Sequence, residues 1–498
     1  MKPHDLHNAE LIRNVHPPDW VNPTPPQQRY HLVVIGGGTA GLVSAAGAAG
    51  LGARVALVER HLLGGDCLNV GCVPSKGVIS AARAWRSARA AAAEFGGPAA
   101  TGPGDFGRAM ERMRELRAGI SHHDSAARFR DLGIDVYLGD AQFVDATTVT
   151  VGQQSLRFRS AVIATGGRAA APPIPGLEAV DYLTNETIFS LTDLPRSLVV
   201  IGAGPIGSEM AQSFAQLGSE VTLLDRAPHV LPREDPEAAA VVQASMTADG
   251  VNLELGVTVD SVESRGETTV VHFSSGDRST EVEADALLVA VGRTPNVDGL
   301  GLEAAGVAYD RRGVEVDDRL RTSNRRVFAC GDVATKYQFT HTADAQARIV
   351  IQNALFFGRA RTSRLVVPWC TYTSPEIAHV GMVASEAAAA GPKIETITVP
   401  MAEVDRAVLD GEGDGFLRVY HERGRIRGAT LVAAHAGDMI GEMAVAITHG
   451  ISLGQLSSTI HPYPTQGEVM RKIGDAYRRT SLTPMVKKIF ATWFRLLR

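Results

Sequence analysis

Two stretches of the chain carry the same succession of apolar, glycine-rich and small-residue blocks. Residues 32–60 read LVVIGGGTAGLVSAAGAAGLGARVALVER and residues 198–226 read LVVIGAGPIGSEMAQSFAQLGSEVTLLDR. Each opens on a short unbroken apolar run, the signature of a strand buried on both faces. Glycines then mark a tight turn, small and apolar residues continue for a helix length, and a second apolar run ends on an acid, Glu59 or Asp225. The pattern predicts strand, turn, helix and strand, twice. The two stretches align without gaps, with fourteen of twenty-nine positions identical, so the chain contains an internal duplication. Residues 32–53 lack charge over a length that could span a bilayer, but seven glycines placed at turns argue against a membrane helix.

Two further patterns stand out. SKGVISAARAWRSARAAAAEF, from Ser75, is rich in strong helix formers. TPMVKKIFATWFRLLR, residues 483–498, puts Met485, Val486, Ile489, Phe490, Trp493, Phe494 and Leu497 on one helical face, with Lys487, Lys488, Arg495 and Arg498 around it. Such a helix docks on its own protein or lies in a membrane interface, and docking is the favoured expectation.

Composition narrows the class. At 498 residues the chain is too long for one core. A net charge of −5 gives no reason to expect nucleic acid as a partner. Four cysteines are too few for a disulfide-stapled secreted scaffold, and the first thirty residues show no charged-then-apolar leader. A cytoplasmic protein is expected, with the tail as a candidate contact to the inner face of the membrane.

Each copy of the repeat is a full dinucleotide fingerprint. Gly36, Gly38 and Gly41 form one set, and Gly202, Gly204 and Gly207 the other. The first glycine permits the turn, the second admits the pyrophosphate to the backbone, and the third lets helix and strand pack closely. The helix N-terminus faces the phosphates, and the acid accepts hydrogen bonds from an adenosine ribose. Two such sites suggest one tightly held redox cofactor and one that exchanges, which suits a flavin and a nicotinamide. Asp225 favours NADH because a carboxylate repels a 2′-phosphate, although the adjacent Arg226 could accept one.

With these motifs and GGDCLNVGCVPSK, VIATGG, VAVGRTPN, VFACGDVA, TYTSPEIAHVG and HPYPTQGE in order behind them, the sequence resembles the flavin-dependent pyridine nucleotide–disulfide oxidoreductases. The family includes glutathione reductase, dihydrolipoamide dehydrogenase and mercuric reductase. The resemblance runs from about Tyr30 to Asp475 and implies an α/β fold with two Rossmann-like domains and a C-terminal α+β dimerisation domain, in a homodimer. The implied division is an N-terminal extension (1–28), an FAD domain (29–178), an NAD(P)H domain (179–295), a central segment returning to the flavin (296–365), a dimerisation domain (366–482) and a tail (483–498). It further implies FAD contacts at Glu59, Gly65, Lys76, Thr165, Gly166 and Asp332, and a nicotinamide-nucleotide contact at Gly292.

Cys67 and Cys72 admit three readings: a zinc site, an inert buried pair, or a redox-active disulfide. Zinc needs about four ligands, and only His61 lies nearby. Free cysteine also packs as a small hydrophobe. Pro74 suits a first helical turn, so Cys72 falls near a helix N-terminus, where the macrodipole and Lys76 favour a thiolate. By resemblance Cys72 is the charge-transfer thiol beside the flavin, Cys67 the interchange thiol that attacks substrate, and Lys76 pairs with Glu209. Cys330 and Cys370 match no motif and are read as packing residues.

One motif departs from the disulfide reductases. Their acid–base histidine stands five residues before a glutamate, but five before Glu468 is Tyr463. His461 lies two residues earlier and, in an extended segment, would point the same way. A tyrosine there is similar to mercuric reductase, yet this sequence ends without that enzyme's vicinal cysteine pair and has no CxxC of a metal-carrier domain. The expected electron acceptor is a soft metal ion or a specialised small-molecule disulfide, taken up between Cys67 and Tyr463, Glu468 and His461 of the partner subunit. No resident metal site is expected. A lipoamide or glutathione reductase, a membrane-associated NADH:quinone reductase and a non-enzymatic redox sensor remain as alternatives.

Overall fold

The computed structural model describes residues 1–102 and 104–497. Helix Leu6–Val15, capped by the Asp5 carboxylate, lays Leu11 and Val15 into the first core. In that core, strands Asp135–Leu138, Val55–Glu59, Tyr30–Ile35 and the second half of Gln154–Ile163 lie parallel in this order. Strand Val327–Ala329 joins the far side of Gln154–Ile163, with Val327 opposite Ala161. The chain from 296 onward thus rejoins the first sheet. Helices Thr39–Gly50 and Thr340–Leu355 pack together over one face, and Phe143, Val149, Leu300 and Leu302 cover the other, which is why the strands are apolar on both faces.

The second unit repeats the first. Strands Val251–Leu255, Glu220–Asp225, Ser197–Ile201 and Ala286–Val289 are parallel in the same order, with helix Pro205–Leu217 in the crossover. In both units an antiparallel meander is inserted between the third and fourth strands. It is Ala141–Asp145 and Thr148–Val151 running into Gln154–Ile163 in the first, and Thr258–Arg265, Thr268–Ser275 and Arg278–Ala284 in the second. The duplication read from sequence is therefore a duplication of topology.

A five-stranded antiparallel sheet comes next, in the order Pro368–Thr371, Glu376–Gly381, Arg425–Ala433, Phe416–Glu422, Glu395–Pro400, backed by helices Ala436–His449 and Val469–Thr480. The expected fold class, α/β with two Rossmann-like units and an α+β C-terminal domain, is the one observed.

The tail differs from expectation. Pro484–Leu496 is a helix, N-capped by Thr483, but none of its residues is buried. Ile489, Trp493 and Phe494 keep 56%, 56% and 61% of their surface exposed. It does not dock on its own chain. The helix before it, Val469–Thr480, already turns Val469, Met470 and Ile473 into the core and ends on exposed Arg478 and Arg479, offering no apolar seat. Arg498 lies outside the described residues.

Candidate active site

The first cleft is built by close backbone approach. Gly36 has φ +106°, and a Cβ there would lie 2.3 Å from the Ala164 carbonyl oxygen. A Cβ at Gly41 would lie 1.8 Å from the Gly36 carbonyl oxygen. Gly38 is the N-cap of helix Thr39–Gly50, so free amides face the cleft. Glu59 accepts hydrogen bonds from the Gly37 amide at 2.5 Å and the His61 amide at 2.7 Å, and burial pushes its carboxyl up. The second cleft has the same parts. Gly202 has φ +108°, a Cβ at Gly207 would lie 1.8 Å from the Gly202 carbonyl oxygen, and Gly204 caps helix Pro205–Leu217. Asp225 accepts from the Ala203 amide at 2.5 Å and the Ala227 amide at 2.7 Å, with Arg226 exposed at the rim. A glycine cradle, a helix N-terminus and an acid in fixed geometry fit a dinucleotide in each.

The two clefts are tied together where Gly167–Ala169 pairs antiparallel with Arg293–Pro295. Thr165 Oγ1 donates to the Asn296 carbonyl at 2.7 Å, and the Gly166 carbonyl accepts from the Asn296 amide at 2.9 Å. Gly292 turns this crossing with φ +133°. Arg293 reaches Asp66 and lies 3.5 Å from Asp332, whose carboxyl is pushed up by burial. All of these residues line one continuous cavity of about 3290 Å³.

The cysteine pair sits where the clefts meet. Gly64 and Gly65, with φ +87° and +57°, turn the chain into the short helix Gly65–Asn69, and a Cβ at Gly65 would come within 2.7 Å of Gly38 Cα. Cys67 is on this helix, and Cys72 is the first residue of helix Cys72–Phe95. Both are free thiols. A hydrogen bond from Cys67 draws the Cys72 thiol down to about 6 against the opposing effect of burial, and Thr340, 3.4 Å away, and Lys76 add to the pull. The same bond and burial push Cys67 up. Negative charge is therefore favoured on Cys72, at the helix N-terminus. Among the described residues no group of three or more His, Cys, Asp or Glu could hold a metal ion.

Lys76 Nζ contacts Glu209 Oε2 at 2.9 Å across the junction of helices Cys72–Phe95 and Pro205–Leu217. Glu209 is buried, its Oε1 accepts from the Tyr372 amide at 2.9 Å, and Lys76 lies 4.2 Å from the centre of the Tyr372 ring. An ordinary solvated pair would look different. Cys330 is fully buried and pushed up to about 12, while Cys370 is half-buried against Gly437.

The segment around His461 is not a strand, and its side chains diverge. Tyr463, exposed, donates to Asp405 at 2.9 Å; Glu468, buried, pairs with Arg471 at 2.5 Å. His461 Nε2 faces Glu442 at 3.0 Å and Nδ1 the Thr459 carbonyl at 3.2 Å. His461 and Tyr463 therefore do not point the same way, because a coil lacks the two-residue period of a strand. Sequence reading missed Thr340, Arg293, Tyr372 and Glu442; Arg293 and Tyr372 carried a signal, within VAVGRTPN and TYTSPEIAHVG.

Two nucleotide clefts converging on a polarised thiol pair define a flavin-dependent dithiol oxidoreductase. Residues 30–347 match the model of the pyridine nucleotide-disulphide oxidoreductase family, and residues 367–473 match its dimerisation domain. The chain belongs to this family, whose members are enzymes that use FAD and NAD(P)H, and the dimerisation domain supports a homodimer. It is 36% identical over 446 residues to a mercuric reductase of Staphylococcus aureus, covering 89% of this chain and 81% of that protein. It is 32% identical over 467 residues to a dihydrolipoyl dehydrogenase of Geobacillus stearothermophilus, covering 91% and 97%. Among solved structures it resembles the Cu(II) complex of the HOCl-induced flavoprotein disulfide reductase RclA from Escherichia coli. There the TM-score is 0.81 at 29% identity, over 90% of this chain and all of that one.

Proposed function

We propose that the protein reduces a soft metal ion or a specialised small-molecule disulfide through Cys67 and Cys72, at the expense of a nicotinamide nucleotide. The meeting of both nucleotide clefts at Cys67 and Cys72, with Cys72 at a helix N-terminus and Lys76 one turn on, carries this reading. Gly36, Gly38, Gly41, Glu59, Gly65, Lys76, Thr165, Gly166 and Asp332 hold FAD, and Gly202, Gly204, Gly207, Asp225, Arg226 and Gly292 hold the nicotinamide nucleotide, with NADH preferred. FAD, when bound, supplies hydride acceptance and two-electron delivery to the pair. Glu209 fixes Lys76 beside the flavin pocket, and Thr340 steadies the Cys72 thiolate. Cys67, kept protonated, is the thiol released toward the acceptor.

Tyr463 and Glu468 of the partner subunit complete the site. A phenol with a pKa of about 10 is a poor proton shuttle at neutral pH, but it can hydrogen-bond beside a metal held by thiolate. Hydrogen bonding to Asp405 raises the Tyr463 pKa further. His461 faces Glu442 and the Thr459 carbonyl within its own chain rather than turning beside Tyr463. The likeness to mercuric reductases and to a Cu(II) complex of RclA supports the metal side of the proposal. The test is to reduce the holoenzyme with NADH and follow reoxidation by Hg(II), Cu(II), oxidised glutathione, lipoamide and a quinone. Metal-dependent turnover that needs both cysteines is expected; lipoamide or glutathione turnover at tens per second or more overturns it. Quinone turnover that survives Cys67→Ser would instead favour the quinone reductase reading, which the exposed tail helix motivates.

A further inference from the structure

We infer that helix Pro484–Leu496 is an in-plane anchor for an anionic lipid surface. At about 100° per residue, Met485, Val486, Ile489, Phe490, Trp493, Phe494, Leu496 and Leu497 fill one half of the helix circumference. Lys487, Lys488 and Arg495, with Thr492 and Ala491, fill the other. The helix is preformed: Thr483 Oγ1 accepts from the Val486 amide at 3.3 Å and Pro484 occupies its first turn. It is about 20 Å long, too short to cross a bilayer and suited to lying in its surface. No helix among the described residues is long and apolar enough to cross a membrane.

Charge selects the occupant. The whole chain carries −5, yet residues 476–497 contain Arg478, Arg479, Lys487, Lys488 and Arg495 and no acid. A second copy of this helix would bring like charges together. A protein interface core is depleted of lysine, whereas basic residues flanking an apolar face with tryptophan at its centre match an anionic headgroup layer. In a homodimer two such helices would act together, so weak single anchors give firm attachment.

The experiment is flotation of the full-length holoenzyme with vesicles of phosphatidylcholine alone or mixed with phosphatidylglycerol. Binding to the mixed vesicles, at least tenfold weaker to phosphatidylcholine and weakened by salt, is expected. Trp493→Glu should abolish it, and Lys487→Glu with Lys488→Glu should reduce it at least tenfold; these residues are exposed, so folding and NADH-dependent flavin reduction are unchanged. Equal binding to both vesicles, no binding to either, or conversion of the dimer to monomers by Trp493→Glu would each overturn the proposal, the last by making this face a contact between subunits.

Discussion

The two nucleotide clefts are near-copies that differ in the loop downstream of the acid. Each has a glycine with φ near +107°, a later glycine whose Cβ would strike a carbonyl at 1.8 Å, and an acid holding two amides. In both, the chain after the acid returns onto the glycine turn, the Gly64 amide donating to the Gly37 carbonyl and the Leu231 amide to the Ala203 carbonyl, each at 2.8 Å, but only in the first does it also bring a backbone atom, Gly65 Cα, within 3.7 Å of a Cβ placed on Gly38. Nothing lies within 4 Å of a Cβ placed on Gly204, and Arg226 faces solvent. The second glycine of the first cleft is therefore more closely covered by backbone than that of the second.

Disturbing the shared glycines should have the largest effect. Gly41→Ala drives a methyl into a backbone carbonyl, and the expected cost is about 3 kcal/mol or more, with loss of the yellow FAD absorbance and a lowered Tm. Gly207→Ala has the same clash in the second unit and should remove nicotinamide-nucleotide binding. Gly204→Ala sharpens the contrast: it should leave stability unchanged and weaken NADH binding roughly tenfold, by crowding the pyrophosphate approach. A colourless Gly204→Ala protein would mean that the clefts are not independent.

The thiols joining the clefts come next. On two-electron reduction the holoenzyme should show a long-wavelength thiolate-to-flavin band. Cys72→Ser should abolish it, and Cys67→Ser should make it permanent in the oxidised protein. In the reduced apoprotein, thiolate ultraviolet absorbance should rise with a midpoint near pH 6 and vanish in Cys72→Ser. Identical spectra in the two variants would refute the polarity of the pair.

A smaller effect belongs to the second cleft alone. Glu234, half-buried under the Trp369 indole that donates to it at 2.7 Å, has its pKa raised to about 7 by desolvation. Its unfolded form ionises near 4.5, so between these values the unfolded state has lost the proton and the folded state has not. Stability therefore falls as pH rises from about 4.5 to 7, by on the order of 3 kcal/mol at most. Glu234→Gln should flatten that slope in denaturation curves. Smallest of all, Asp225→Ala should lower NADH use several-fold and leave NADPH less disfavoured; improved NADH use would reverse the cofactor assignment.

Much of this was legible in the residues. Gly36, Gly41, Gly202 and Gly207 are read from sequence because each belongs to one short turn of chain, where spacing alone fixes geometry. The start of a helix at Cys72 is read from Pro74 and the helix formers behind it. The pairing of Lys76 with Glu209 came through family resemblance, because 133 positions separate them and no local pattern links them. Tyr372 above Lys76 and Thr340 beside Cys72 were not read at all.

The sequence by itself determined the duplicated nucleotide units, the thiol pair and the amphipathic character of the tail, because these depend on periodicity and close backbone approach over a few dozen residues. Tertiary structure alone decided which distant groups meet the thiol pair, where His461 points and whether the tail is covered. Those outcomes depend on burial and on partners supplied from distant segments. Hydrogen bonds to Thr340, Glu442 and Asp405 exist only once separate sheets have packed, and the tail is bare because the preceding helix has already turned its apolar face inward.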